Sequence, residues 1–342
     1  MREPAFWYRP PSLISRLLSP FGAIYGAATA WRMGLAGRSA GIPVVCIGNY
    51  HVGGAGKTPA TIKLAEILRA SGETPFVVSR GYSGRLHGPI RVEPGIHSAL
   101  EIGDEPLMMS SRLPVVVSRD RVAGAALAKL EGASVILLDD GFQNPSLKKD
   151  LSLVVIDATR GIGNGQVFPA GPLRAPLLAQ TVRTGALIVV GEGDGANGLV
   201  EKLKQRGLPV LRARLKADPK SVSALRDQRV LAFAGIGDPA RFFSTLRSNG
   251  VNVVEEKPFA DHHIFSHLEI ERLLAAANAK SLKLVTTEKD MARIRSDARL
   301  AQYANEIATL DVTLEFDDEE KLLSLAMESL ADARSKNLKN QG

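Results

Sequence analysis

Cysteine is nearly absent from this sequence: Cys46 is the single one, so no disulfide can form within the chain, which indicates a reducing compartment. The sequence also lacks a hydrophobic run long enough to cross a bilayer. The longest uncharged candidate, between Arg16 and Arg32, contains a proline and two glycines and falls short of the roughly 18 to 20 residues that a spanning helix needs. Aromatic residues beside arginines instead favour an interfacial helix lying on a membrane, with an ordinary helix docked on the core as the alternative.

Acidic residues are fewer than basic ones, so the formal net charge is +7 and the pI is about 9.5. A basic balance fits nucleic acid, an anionic membrane surface or a phosphorylated substrate. The basic residues are dispersed and no nucleic-acid-binding motif occurs, so the sequence predicts no nucleic acid partner. The composition, 45% hydrophobic and 23% charged over 342 residues, favours a folded chain of two domains.

The most informative stretch is VVCIGNYHVGGAGKTP, from Val44 to Pro59. An apolar strand, a glycine-rich turn, Lys-Thr and a helix follow one another in the order of a phosphate-binding loop. Such a loop turns its amide N–H groups toward one anion, and its lysine reaches the β- and γ-phosphates. The strict pattern has glycine where this chain has His51; a plain glycine-rich turn is the alternative. The predicted nucleotide-binding residues are His51, Val52, Gly53, Gly54, Ala55, Gly56, Lys57 and Thr58.

A second apolar strand, VILLDD, ends in Asp139 and Asp140. In a phosphate-loop protein a carboxylate at the end of the partner strand holds Mg²⁺ near the loop hydroxyl. The sequence therefore predicts a magnesium site made by Thr58 with Asp139, or with Asp140 as the second choice. The alternative for one of the two acids is a cap on the following turn.

Other polar residues follow further strands of the predicted parallel sheet. Arg80 and Arg119 each come directly after an apolar strand, where ligands bind in open α/β sheets. Arg174 lies in a long turn-rich segment, residues 160–176, and is predicted to clamp a substrate phosphate. For each arginine alone, a solvated structural role is the alternative.

Two acid-bearing segments are candidates for proton transfer. Asp104 begins a helix in the run IGDEP, where an N-cap is the plain interpretation and a base that accepts a hydroxyl proton is the functional one. His262 lies in ADHHIF, an acid-and-histidine cluster. No further zinc ligands occur at plausible spacing, so a catalytic or substrate-orienting His262 is the hypothesis, against a structural cap.

Alternating strand and helix patterns predict an α/β fold with a parallel sheet and covering helices. We expect an interfacial helix region over residues 1–40, a phosphate-loop core over 41–150 and a second, smaller α/β domain over 151–314 that closes over the active site. The tail, residues 315–335, is expected to return to the first domain.

Together these motifs resemble one family, the tetraacyldisaccharide 4′-kinases of lipid A biosynthesis. The matching segments are residues 48–49 with 53–59, 79–82, 103–106, 118–121, 139–143, 169–174, 261–262 and 287–290. The runs DDGFQ and PAGPLR are specific, whereas the phosphate loop is shared by many proteins. Family members often have His where this chain has Asn144, and Glu where it has Ala175.

The resemblance implies transfer of the γ-phosphate of ATP, with Mg²⁺, to the 4′-hydroxyl of a tetraacylated disaccharide 1-phosphate. It implies that Asp104 acts as base with help from His262, and that Tyr82 and Gln143 belong with the arginines among the substrate-binding residues. It also implies a peripheral enzyme on the cytoplasmic face of the inner membrane of a Gram-negative bacterium. A phosphate-loop ATPase or GTPase switch or a metal-insertion protein is the alternative, although Val52 stands where such proteins often carry lysine and TEKD is a poor match to a guanine-binding run.

Overall fold

The computed structural model describes residues 3–339, and in this range the chain forms two β-sheets with helices on their faces. The larger sheet has the strand order β13-β8-β7-β6-β1-β5-β2-β4-β3. Its strands are β1 (Val44–Gly48), β2 (Pro75–Ser79), β3 (Ile90–Arg91), β4 (Val115–Val117), β5 (Val135–Asp139), β6 (Leu151–Asp157), β7 (Ala186–Val190), β8 (Val210–Ala217) and β13 (Val312–Phe316). All neighbours run parallel except the two edge strands, β13 and β3.

The central strands β1, β5, β6 and β7 are buried along their whole length because both faces of the larger sheet are covered. Alternate residues of β1 enter different cores: Val45 and Ile47 pack on one face, Val44 and Cys46 on the other. Cys46 is fully buried, as expected of a small hydrophobic side chain in such a strand.

The smaller sheet has the order β10-β9-β11-β12, all parallel. Its strands in residues 3–339 are β9 (Arg229–Ala234), β10 (Asn252–Pro258), β11 (Lys283–Thr287) and β12 (Ile307–Leu310). We call the large domain the part of the chain built on the first sheet and the small domain the part built on the second.

The predicted domain boundary at residues 150 and 151 is wrong. β6 pairs in parallel with β1, with Leu151 opposite Val45, and β7 and β8 continue the same sheet. The polar turn before Leu151 leads into this neighbouring strand and not into a new domain. The chain leaves the large domain only after β8 and re-enters it at β13, which pairs antiparallel with β8.

The helices lie on the sheet faces and between the sheets. Their bounds are α1 (Leu13–Met33), α2 (Lys57–Ala70), α3 (Ala99–Ile102), α4 (Asp104–Ser110), α5 (Arg121–Leu130), α6 (Leu177–Thr181), α7 (Asn197–Gln205), α8 (Pro219–Leu225), α9 (Pro239–Ser248), α10 (His267–Ala279), α11 (Glu288–Ser296) and α12 (Glu319–Lys339). Mixed α/β architecture with a parallel sheet is therefore confirmed.

Helix α1 is longer than its broken apolar pattern predicts. Ser12 caps its N-terminus, and the Ser19 hydroxyl donates to the Arg16 carbonyl, which Pro20 cannot satisfy. Gly22 and Gly26 let the helix approach the segment around Val167 and Pro176, because a Cβ at either glycine would meet those residues within 3.3 Å. Within the described range, no helix combines the length and the apolar character required to cross a bilayer.

Candidate active site

The loop after β1 is shaped to hold an anion. Gly53 and Gly56 have φ angles of 103° and 88°, which glycine adopts without strain, and Asn49 Nδ2 donates to the Gly53 carbonyl across the turn at 3.0 Å. Within residues 3–339 the amide N–H groups of residues 53–58 have no hydrogen-bond acceptor. The N-terminus of α2 adds its dipole, so the loop concentrates positive potential.

Asp140 links the loop lysine to the long segment after β6. Lys57 Nζ lies 3.7 Å from Asp140 Oδ1, and Arg174 Nη1 donates to the same oxygen at 2.6 Å. Gln143 Nε2 donates to the Asn49 carbonyl at 2.7 Å, and its Oε1 accepts from Arg174 at 3.4 Å. Burial alone would raise the pKa of Asp140, but Lys57 and Arg174 hold it well below its usual range.

Asp139 has the opposite environment. Its Oδ2 accepts a hydrogen bond from the Ser79 hydroxyl at 3.3 Å, whereas its Oδ1 is buried without a partner in the described part of the chain. Burial, reinforced by the charges of Glu105 and Asp140, raises the pKa of Asp139 to about 7. A carboxylate in this state is stabilised by a nearby cation.

These residues fit Mg²⁺ only together with phosphate oxygens. Across residues 3–339, no three His, Cys, Asp or Glu side chains are grouped so as to hold a metal by themselves. Mg²⁺ usually binds through one or two carboxylates plus substrate phosphates and waters. The uncompensated Oδ1 of Asp139 fits that requirement, and Thr58 lies buried at the start of α2 beside the loop.

Asp104, in the large domain, is hydrogen-bonded to two residues of the small domain. Its Oδ2 accepts from His262 Nδ1 at 2.6 Å and from Arg293 Nη2 at 2.6 Å, and both donors belong to the small domain. Burial alone would raise the pKa of Asp104, but these two hydrogen bonds hold it well below its usual range. The hydrogen bond to Asp104 in turn raises the pKa of His262. His262 itself has a φ of 58°, a strained position for a residue other than glycine.

A cavity of about 350 Å³ opens beside this pair, between the domains. Asp104, His262 and Arg293 form its polar wall, and Leu100, Ile264 and Leu300 are among its apolar residues. A cleft with a few converging polar groups and shifted pKa values is the usual form of a substrate site.

Sequence reasoning missed the two cations of α11. Lys289 Nζ binds Glu105 Oε1 at 2.6 Å, while Arg293 binds the preceding residue of α4, Asp104. The signal was present: Lys289 and Arg293 are four residues apart and share a helix face, and Asp104 and Glu105 are consecutive acids at a helix start. Only the relative placement of α4 and α11 brings them together.

The remaining predicted residues lie around this edge with different surroundings. Arg80 and Arg119 are exposed, and within residues 3–339 neither makes an ion pair. The Tyr82 ring lies 6.2 Å from the His262 ring. His51 is fully buried, with Nδ1 3.0 Å from the Val52 carbonyl, and burial lowers its pKa to about 4. The His51 side chain is therefore out of reach of a nucleotide, and only the His51 backbone can contribute to the loop's binding site.

Comparisons with known proteins agree along nearly the whole chain. A family model described as tetraacyldisaccharide-1-P 4′-kinase matches residues 14–331. A protein named tetraacyldisaccharide 4′-kinase from Nitrobacter winogradskyi is 58% identical over 334 residues, covering 98% of this chain and 99% of its own. One of the same name from Rhodopseudomonas palustris is 60% identical over 340 residues, covering 99% of both chains.

A solved structure has the same architecture. The "apo" form of LpxK from Aquifex aeolicus, in complex with ATP, superposes with a TM-score of 0.72 at 26% identity and covers 93% of this chain and 100% of its own. Family membership disfavours the alternative of a switch ATPase, GTPase or metal-insertion protein. The chain belongs to the tetraacyldisaccharide-1-phosphate 4′-kinase family.

Proposed function

We propose that this enzyme transfers the γ-phosphoryl group of ATP to the 4′-hydroxyl of tetraacyldisaccharide 1-phosphate, at the edge of the large sheet where the loop, Asp139 and Asp104 converge. The observation that carries the proposal is the run of amide N–H groups at residues 53–58, which have no acceptor within residues 3–339 and lead into α2. Helix α2 packs against α4, whose first residue is Asp104. These two features supply a triphosphate site and a proton acceptor.

The loop binds the phosphates of ATP through its backbone. His51, Val52, Gly53, Gly54, Ala55, Gly56, Lys57 and Thr58 form the nucleotide-binding segment, as the sequence predicts. Lys57 Nζ stabilises charge on the β- and γ-phosphates, and its long contact with Asp140 at 3.7 Å leaves it free to shift toward them. Phosphoryl transfer depends mainly on such positioning and charge stabilisation.

Asp104 accepts the proton of the attacking hydroxyl. Both of its hydrogen bonds fall on Oδ2, so Oδ1 retains lone pairs for the substrate. The hydroxyl oxygen forms a bond to the γ-phosphorus, the bond from that phosphorus to the β–γ bridging oxygen breaks, the proton moves to Oδ1 and ADP leaves. A low pKa does not prevent this role, because in a loose transition state the hydroxyl needs little deprotonation before bond formation.

Thr58 and Asp139 are the residues that would hold Mg²⁺, with Asp140 as the second choice of carboxylate. When bound there, Mg²⁺ would neutralise charge on the β- and γ-phosphate oxygens. Asp140 is less suited to direct ligation because Arg174 already donates to it at 2.6 Å. Ser79 fixes the Asp139 carboxylate through its other oxygen.

The substrate lies across the cleft from ATP. Arg80 and Arg119 are free to meet its anionic groups, Tyr82 stands beside His262, and Arg174 with Gln143 lines the approach to Asp140. We assign these five residues to the acylated disaccharide. The small domain already places His262 Nδ1 2.6 Å from Asp104 Oδ2, which completes the site on the side opposite the loop's domain.

Helix α1 holds the enzyme on the membrane that contains its substrate. Apart from Met33 at its C-terminal end, its buried residues are small or polar, namely Ser15, Gly22, Gly26 and Thr29, whereas its exposed face carries large apolar ones. Leu13 is 77% exposed and Trp31 is 69% exposed; Leu17, Phe21 and Ile24 belong to the same stripe. This arrangement is the inverse of a helix that packs its apolar face on a core, and it suits a lipid surface. We therefore assign the enzyme to the cytoplasmic face of a Gram-negative inner membrane, as a peripheral protein.

A transfer assay tests the proposal. Purified enzyme with [γ-³²P]ATP, Mg²⁺ and tetraacyldisaccharide 1-phosphate in mixed micelles is expected to label the lipid at the 4′ position, and a 4′-deoxy analogue is expected to stay unlabelled. ATP hydrolysis that proceeds equally with and without lipid, and leaves the lipid unlabelled, would show that the assignment is wrong.

A further inference from the structure

The structure points to Arg293 as a positioning residue for the transfer reaction: from the small domain it fixes one oxygen of Asp104 so that the other faces the accepting hydroxyl. The inference rests on the proposed function. It concerns a residue to which neither the sequence motifs nor the comparisons give a role.

The geometry around Arg293 is that of a clamp. Nη2 donates to Asp104 at 2.6 Å, and Nη1 donates both to Asp290 Oδ1 at 2.5 Å and to the Gly235 carbonyl at 2.8 Å. The side chains of Arg293 and Asp104 are only 7% and 8% exposed. A buried guanidinium with three directional contacts orients its acceptor far better than an exposed, mobile lysine does.

Asp290, which accepts a hydrogen bond from Arg293, is itself held in place by other hydrogen bonds. Asp290 Oδ2 accepts from the Gly235 amide at 2.9 Å and from the Thr287 hydroxyl at 2.8 Å, so both carboxylate oxygens of Asp290 are engaged. Asp290 is fully buried at the start of α11, where the helix N-terminus also favours its charge. Arg293 thus transmits the position of the small domain to Asp104.

Because two donors bind the same oxygen of Asp104, the other oxygen is the one available to accept the proton of the substrate hydroxyl. His262 and Arg293 both occupy Oδ2, and the carboxylate lines the cavity between the domains. Without Arg293 the Asp104 carboxylate can rotate. The orientation that points Oδ1 at the substrate hydroxyl is then only one of several that it adopts, which slows the reaction.

Removal of Arg293 is also expected to change the acidity of Asp104. The charged groups around Asp104 are His262 and Arg293, its neighbour Glu105 on α4, Lys289 and Asp290 on α11, and Asp261 beside His262. Arg293 favours the ionised carboxylate, so its loss raises the pKa of Asp104 and moves the acid limb of the kcat profile to higher pH.

The test compares Arg293→Met with Arg295→Met, since Arg295 is exposed on the same helix. After wild-type transfer to lipid has been measured, Arg293→Met is expected to lower kcat about 100-fold with the KM for ATP within about twofold of wild type. Its acid limb is expected at higher pH, and millimolar methylguanidinium is expected to restore activity to Arg293→Ala. Arg295→Met is expected to match wild type in every measurement.

Two further variants keep the test decisive if Arg293→Met does not fold. Arg293→Lys keeps the positive charge but lacks the planar guanidinium, and Asp290→Asn weakens the contact that holds Arg293 in place. Both variants are expected to lower kcat by about tenfold with little change in the KM for ATP. Wild-type kcat and pH profile in these variants, or an equal loss in Arg295→Met, would overturn the inference. Failure of the wild-type enzyme to label lipid would instead refute the proposed function.

Discussion

Adjacent residues of this site differ sharply in their electrostatic environment. Asp139 and Asp140 are neighbours in the chain, yet the pKa of the first is raised and that of the second is lowered. The difference arises because Asp140, at a φ of 50°, turns toward Lys57 and Arg174, whereas Asp139 stays within the buried end of β5. The sequence DD predicts a cation site, but it cannot tell which acid stays uncompensated.

Lys57 is expected to be essential to turnover. Lys57→Ala removes the ammonium group that stabilises the γ-phosphate in the transition state, so we expect kcat to fall about 100- to 1,000-fold in the micelle transfer assay. Lys63→Ala is the matched control, because Lys63 lies on the same helix and pairs with Glu319 at 2.7 Å, outside the site. Comparable losses in the two variants would contradict the role of Lys57.

His51 is expected to make the fold sensitive to acid. Burial lowers the pKa of His51 from 6.5 to about 4 in the folded chain. Between these two pH values the unfolded chain therefore binds a proton at His51 and the folded chain does not. Stability is therefore retained above pH 6.5 and is lost as the pH falls from there.

Between pH 7 and pH 5 this loss amounts to about 2 kcal/mol. We expect His51→Asn to lose that much less of its free energy of unfolding over the interval than wild type does, as measured by urea denaturation. The exposed His87 provides the control variant, His87→Asn. Equal pH dependence in wild type and His51→Asn would contradict the prediction.

Individual elements are the scale at which sequence patterns predict most. The strands Ala186–Val190 and Val312–Phe316 coincide with short apolar runs of the sequence, and α9 begins at Pro239, directly after the capping residue Asp238. These elements are specified locally, by apolar runs and by Asp or Pro at helix starts. Short elements such as β3 and α3 were not predicted, because two to four residues carry too little pattern.

Contacts between distant elements could not be predicted from the sequence. The motifs around Asp104, Asp139 and His262 were recognisable singly, and the parallel sheet explains why the first two share an edge. The packing of α11 on α4, which brings in Lys289 and Arg293, depends on the arrangement of two sheets that no local pattern encodes. The domain boundary was misplaced for the same reason.

Helix α1 is expected to bind lipid through its exposed stripe. Replacing Leu17 and Phe21 with Asp exposes no core, and it removes two large apolar side chains worth about 1.5–3 kcal/mol each on burial in lipid. We expect at least a tenfold loss of co-flotation with anionic phospholipid vesicles. Leu130→Asp, at an 84% exposed leucine of α5, is the control. Flotation that remains at the wild-type level would exclude this face as the lipid-binding one.

At the scale of the whole molecule, the N-terminal segment links the nucleotide loop to the small domain. Glu3 lies so close to the loop that its Oε1 leaves no room for a Cβ at Gly53. Arg160 lies 3.3 Å from Glu3 and 3.3 Å from Asp238 at the start of α9. Three distant parts of the chain therefore meet beside the phosphate site.

The carboxylate of Glu3 is expected to oppose ATP binding, because its charge has the same sign as the phosphates. Glu3→Gln should lower the KM for ATP by about two- to fivefold with little change in kcat, whereas Glu66→Gln, at an exposed site on α2, should not change either constant. A higher KM in Glu3→Gln would mean that Glu3 supports the loop.

In the proposed reaction, a triphosphate held by the loop after β1 passes its terminal phosphoryl group to a sugar hydroxyl whose proton goes to Asp104. Single-turnover transfer from [γ-³²P]ATP to tetraacyldisaccharide 1-phosphate, measured with wild type and Asp104→Asn at saturating ATP, tests it most directly. We expect a rate about 100- to 10,000-fold lower in Asp104→Asn with an unchanged dissociation constant for ATP. A single-turnover rate in Asp104→Asn equal to that of wild type would contradict it.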